Sequence, residues 1–394
     1  MPPGRSSRTG FIVPAANRPT VPGSTGGPDL AETGTVDDPG TTLDGVTNVE
    51  LDPAEVVCRS RPESVRPPGA SRPSTAHGQD PEILEPRDVP LGGLRAMTVR
   101  RTLPQKSRSL IGAWCFADHY GPQQVAETGG MRVAPHPHTG LQTVSWLFEG
   151  EIEHRDSVGS HAMVRPGELN LMTAGRGIAH SEVSTATTTV LHGVQLWVAL
   201  PERASALAPA FEHVLPQEAV DGGLRCRVFI GSWLGMDSTA TTHSPLLGAE
   251  LELQPGTTVD LPLERQHEHG VLVDSGDVAV GGVPVTRAAL AYLPPGTRSL
   301  ALTAGARKAR VLLLGGLPLK EDILMWWNFI GRSHEEVVEF RRQWQAEVAA
   351  FAAGEPPSTV FGRVDGYPGG PLPAPEMPGV RLRPRPAPRT PGAG

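Results

Sequence analysis

Only three cysteines occur in the 394 residues, Cys58, Cys115 and Cys226. Odd in number and far apart, they exclude a disulfide framework and a cysteine zinc site and suit a reducing compartment. Long apolar runs are also missing. No stretch approaches 18 consecutive apolar residues, so no membrane span is expected. The N-terminal "GFIVPAA" is interrupted by proline and too short for the apolar core of a secretion signal. Positive charge is in deficit, with a formal net charge of −7, which disfavours a nucleic-acid partner because phosphate binding relies on clustered Lys and Arg. The one basic cluster, Arg381, Arg383, Arg385 and Arg389, reads as a solvated end. A cytoplasmic protein, expected to be a monomer, fits these absences.

Aromatics are lacking over one long stretch: after Phe11 none appears until Trp114. Pro, Gly, Ser, Thr and Asp fill much of the interval, and such a segment cannot bury enough apolar area to offset its ordering entropy. Residues 1–80 are therefore expected to be a disordered extension. The Pro-rich tail, 353–394, is expected to lie extended on the surface or to float.

What is present between these ends is a β rhythm. From Leu91 to Leu200 turn signals recur every eight to twelve residues, among them Glu149-Gly150, Arg165-Pro166-Gly167 and Ala174-Gly175, with runs such as "TVSWLF" and "VLHGVQLWVAL" between them. Many short antiparallel strands in a sandwich or barrel follow from that spacing. The pattern repeats from Leu224 to Gly315. The chain thus reads as all-β, with two similar domains in tandem at 86–205 and 220–316. An aromatic segment and a closing helix follow at 317–352. Ser333 and Glu336 form a capping box for that helix, and the preceding "MWWNF" reads as a structural plug or an aromatic binding surface.

Chemistry concentrates in two short motifs. In "APHPHTG", His136 and His138 are two apart, so on a strand they share a face at roughly 6.5–7 Å and can converge on one ion with bonds of about 2.1 Å. Alone, such a pair is equally readable as hydrogen-bonded surface residues. "TAGRGIAHSEVS" repeats the spacing with His180 and Glu182. Three imidazoles and one carboxylate on two strands of one small domain point to a metal site.

The ordered set of HPH-x-G-x-x-T-V, the G-E-x-x-H-R-D-S hairpin and T-A-G-R-G-x-x-H-S-E resembles the pirin family of the cupin superfamily, over about Leu91 to Gln345. The resemblance implies two tandem cupin jelly-roll barrels with one metal in the first, held by His136, His138, His180 and Glu182. Two positions depart from the wider cupin pattern. Gln142 stands where a glutamate is usual, which suggests an amide in the outer shell of the site, and Gly175 replaces a proline, a change that pirins share. In the second domain, His267 and His269 form another His-x-His. Matching Gly150 to Gly276 puts Glu264 opposite His138, and Ser299 stands where a partner for His180 is needed, so no second-domain metal is expected. His154, in "EHRDS", reads as a support for the site or as a structural hairpin residue. His119, His161 and His192 have no spacing that recommends them.

Such donors suit one divalent transition metal: Fe(II) is the first expectation, and Mn(II), Ni(II), Cu(II) and Zn(II) fit the same ligands. Several pirins act as flavonol dioxygenases that open quercetin's central ring with O₂. The resemblance therefore implies a small flavonoid-like substrate, O₂, and Glu182 as the base that takes the 3-hydroxyl proton. Trp146 and Phe148 either line a slot for a flat ring or belong to the core. The competing expectation is a non-catalytic, iron-binding, redox-responsive regulator with a protein partner.

Overall fold

The structure, a computed structural model, describes residues 80–91, 97–357 and 360–384. All but the last residue of the N-terminal extension lies outside them, as do Cys58, Arg385 and Arg389. None of the described helices is long and apolar enough to cross a membrane.

Two domains of one plan account for the β rhythm. Each has a seven-stranded and a four-stranded sheet with antiparallel ladders. In the first, the larger sheet runs in the order Ala210–Val214, Leu169–Thr173, Leu141–Glu149, Val190–Ala199, Trp114–Gln124, Met97–Leu103, Arg87–Leu91. The smaller is Arg132–His138, Ile178–Ser184, Ile152–Asp156, His161–Val164. In the second, Glu82–Leu84 forms one edge of the larger sheet by pairing with Leu290–Leu293. A strand that precedes the first domain in sequence thus completes the second. Ala210–Val214 and Gln217–Asp221, lying between the two β-rich regions of the sequence, extend the first and second sheets respectively.

Alternation divides each strand's side chains between a barrel interior and the interface of the two domains. In "LLGAELEL", Leu247, Ala249, Leu251 and Leu253 enter the second barrel, whose apolar cluster consists mainly of Leu, Val and Ala. Leu246 instead joins Trp146, Phe229, Leu196 and Leu312 in a core shared by both domains. Each such side chain, fully buried, contributes about 1.5–3 kcal/mol. The first barrel's own apolar cluster is smaller and includes Val99, Tyr120, Val133 and Leu147. Its remaining interior holds buried Arg, Asp, Ser, His and Glu. That difference in filling places the chemistry in the first barrel.

The expected helix spans His334–Ala353, with Ser333 Oγ accepting from the Glu336 N–H and Gly354 ending it at φ 69°. The "MWWNF" segment forms a hairpin, Leu324–Trp326 with Phe329–Gly331, docked on the first barrel through Ile330 N–H to Thr139 O at 3.0 Å. The tail expectation needs amending: the described part does not float. Phe361, Val364 and Ala374 are buried with Trp326 and Trp344, and Leu372 N–H donates to Pro135 O at 2.8 Å on the strand that carries His136. Aromatic surface on the helix and hairpin supplies the apolar contact that composition alone did not reveal.

Candidate metal centre

His136 and His138 end one strand of the small sheet, and His180 and Glu182 lie on its neighbour, with His180 directly opposite His136. The chain leaves the first strand at Gly140, φ 68°, where an added Cβ would stand 2.3 Å from Ile330 O. Only glycine fits so tight a corner between sheets.

Three imidazoles converge there. The ligand-type nitrogens of His136, His138 and His180 lie within 4.8 Å of one another, all buried. Hydrogen bonds to carbonyl oxygens assign two of the tautomers. His136 Nδ1 donates to Ala134 O at 2.9 Å and His138 Nδ1 to Asn328 O at 3.2 Å, so each Nε2 presents a lone pair. Asp156 Oδ1 accepts the N–H groups of Val158 and Ser160, and its Oδ2 accepts from His154 Nε2 at 3.1 Å. His154 Nδ1 faces His180 Nδ1 at 3.4 Å. On its other side, His180 Nε2 meets the lone pair of His138 Nε2 at 3.1 Å. Donor separations of roughly 3.0–3.4 Å are what bonds of about 2.1 Å require, so these residues fit a divalent ion.

Electrostatics agree with the tautomers. Burial lowers the pKa of His136 to about 4 and those of His138 and His180 well below the usual imidazole value. All three are neutral, the form that binds metal.

Glu182 stands at the edge of this group. Its carboxylate lies within 4.8 Å of donor atoms of His180 and His154 and does not form one such group with all three converging imidazoles. The antiparallel register puts Ile178 opposite His138 and His180 opposite His136, so Glu182 lies on the far side of His180 from His138, and a β-bulge in the His136 strand sets it opposite Val133. Ser145 Oγ donates to Glu182 Oε1 at 3.1 Å, and burial raises the Glu182 pKa against the lowering influence of His154 and Ser145.

The centre opens into a cavity of about 50 Å³. Phe116 and Trp197, stacked at 4.1 Å, form one wall, and Asp118, paired bidentately with Arg101 at 2.7 Å, lines another. Two buried lining groups lack hydrogen-bond partners, Tyr120 Oη and Asn328 Nδ2.

Several sequence expectations change here. Gln142 is not in the outer shell of the site: its amide donates to Thr173 Oγ1 and Thr241 O, and Ser145 takes the place beside Glu182. Trp146 and Phe148 do not line the cavity. Alternation restarts at the Gly140 corner, so Trp146 points toward the second domain and donates Nε1–H to Glu250 at 2.8 Å. Ser145, Gln195 and Asn328 were missed because no spacing rule links residues on separate strands or in a distant turn. His267 and His269 have no third donor within ligand range among the described residues, and neither ring nitrogen of the buried His269 has a hydrogen-bond partner.

Because His154 Nδ1 stands against His180 Nδ1 and helps to orient that ring, replacing it with alanine is expected to weaken metal binding 10- to 100-fold while the ligand set stays intact. Chelator competition measures this; an unchanged affinity would remove His154 from the site.

The comparisons with known proteins follow the same outline. The sequence model of the Pirin family matches residues 96–198, and that of the Pirin C-terminal cupin domain matches 248–350. A Pseudomonas aeruginosa protein provisionally named a quercetin 2,3-dioxygenase is 42% identical over 294 residues, covering 74% of this chain and 89% of its own. A pirin-like protein of Caulobacter vibrioides is 37% identical over 274 residues, covering 67% and 92% respectively. Among solved structures, a quercetin 2,3-dioxygenase from Acinetobacter baumannii has a TM-score of 0.70 at 35% identity, covering 77% of this chain and 98% of that one. With both domain models matched in order and relatives aligned across both barrels, the chain belongs to the pirin family and its two domains are cupins.

Proposed function

We propose that this chain is a metal-dependent dioxygenase acting on a flavonol-type substrate, with His136, His138, His180 and Glu182 holding one divalent ion in the first barrel. The observation that carries the reading is the meeting of three buried imidazoles beside a buried carboxylate in the lining of a cavity. The names of the relatives support the reaction class. When bound, the ion supplies Lewis-acid stabilisation of the negative charge that develops on the substrate oxygen. The protein's own groups do the rest. Glu182 Oε2 accepts the hydroxyl proton of the substrate, and Ser145 holds the other carboxylate oxygen in place. The Phe116–Trp197 pair offers an aromatic face for a planar ring and excludes water from the wall it forms.

Cavity size favours a second reading. Pockets for drug-sized ligands hold roughly 300–1,000 Å³, against about 50 Å³ here. A flavonol therefore enters only if the cavity widens, whereas a redox-responsive regulator needs no such space. Elemental analysis joined to an aerobic quercetin assay separates the two. The dioxygenase reading expects O₂ uptake with loss of flavonol absorbance, and His136→Ala is expected to hold one ion fewer and to lose turnover. Metal without turnover in the wild type would favour the regulator, and turnover unchanged in the variant would refute the site.

A further inference from the structure

A second buried cluster lies where the two barrels meet. His119 of Trp114–Gln124 and His192 of Val190–Ala199 leave the first barrel on its outer face, and Asp274 of Glu268–Ser275 approaches from the second. His119 Nε2 is 2.8 Å and His192 Nε2 2.5 Å from the same atom, Asp274 Oδ1. Sequence separations of 155 and 82 residues place this meeting beyond any motif. Arg310 Nη1 holds the other carboxylate oxygen at 3.3 Å, and Arg287 Nε donates to the Asp274 backbone carbonyl at 2.9 Å.

We infer that His119, His192 and Asp274 form a second metal site, one that takes a borderline divalent ion such as Zn(II) and clamps the two cupin domains together. The donor chemistry is two imidazoles and a carboxylate, a set that zinc and its neighbours accept. All three groups are buried and their ligand atoms lie within 4.8 Å of one another. Arg310 on the outer oxygen is the kind of support that fixes a ligating carboxylate.

Without an ion each Nε2 carries the proton that it donates to Asp274 Oδ1, so binding an ion must displace those two protons, to Nδ1 or to solvent. Arg310 is shared with Glu252 at 2.9 Å and Glu250 at 3.3 Å, so its positive charge is already divided. An ion with bonds of about 2.1 Å needs donor separations of roughly 3.0–3.4 Å, so each nitrogen must withdraw from Oδ1 by less than one ångström. Phe148 packs its ring edge against His192 at 4.9 Å and lies under Arg310 at 4.7 Å, closing the cluster on that side.

The test counts ions in the full chain, stripped with chelator and then equilibrated with Zn(II). Two ions per chain are expected in the wild type, one in His192→Ala, one in His136→Ala and none in the double variant. Asp274→Asn, which keeps the shape of the side chain, repeats the measurement should His192→Ala fold poorly. Zn(II) is further expected to raise the unfolding midpoint of His136→Ala, where only the clamp remains. One ion in the wild type, lost with His136→Ala and kept with His192→Ala, would overturn the second site and leave the first standing. One ion lost only with His192→Ala would instead overturn the first. An unfolding midpoint of His136→Ala that does not respond to Zn(II) would also count against the clamp.

Discussion

Glu182→Gln is expected to reduce quercetin turnover 100- to 10,000-fold, the usual contribution of a positioned base, while most of the bound metal stays. The two effects separate because Glu182 stands at the edge of the three imidazoles that converge. Glutamine keeps the size and the contact with Ser145 but has no basic oxygen to accept the substrate proton. Burial raises the Glu182 pKa, which moves it toward the working pH of a general base. The acid limb of the pH–rate profile should therefore reflect this carboxylate in the wild type and disappear in the variant. Turnover within a few-fold of wild type, at full metal content, would show that the proton goes elsewhere.

Acidification of the metal-free protein is expected to cost more stability than any single surface change. His136 has a folded pKa of about 4 because burial disfavours its charged form, against about 6.5 in an unfolded chain. Between those values the unfolded chain binds the extra proton, so stability falls as pH drops from 6.5 to 4. For His136 alone this amounts to about 3 kcal/mol. His138, His180 and His269, all lowered by burial, act in the same direction. Glu182, Glu250 and Glu268 are raised by burial and act the other way. Their window opens from the carboxylate value of 4.5 upward, so they offset part of the loss. The net expectation is a fall in unfolding midpoint of roughly 5 to 10 °C across that range, read by calorimetry after chelation. A midpoint that holds steady or rises toward pH 4 would mean that the imidazoles are hydrated rather than buried.

Local signals carried much of the fold. Turn residues every eight to twelve positions located the strands, and Ser333 with Glu336 marked the start of the helix that the structure begins at His334. The two His-x-His/Glu spacings were legible for a physical reason: a strand's period of two puts alternate side chains on one face, and the structure brings His136, His138 and His180 together. The same period left Trp146 and Phe148 open between a slot and the core, and the structure puts them in the core shared by the two domains. Parity holds only within a strand, and Gly140 breaks it by turning the chain into another sheet.

Which residues belong to a strand, and which pairs of histidines share a face, follows from interactions between near neighbours in the chain and can be read from their order. Ser145 beside Glu182, the Asn328 carbonyl on His138, Leu372 bonded to Pro135, and Asp274 between His119 and His192 join groups far apart in that order. No local energy encodes those pairings; they exist because packing two barrels and a hairpin around shared apolar cores brings distant strands within hydrogen-bonding distance.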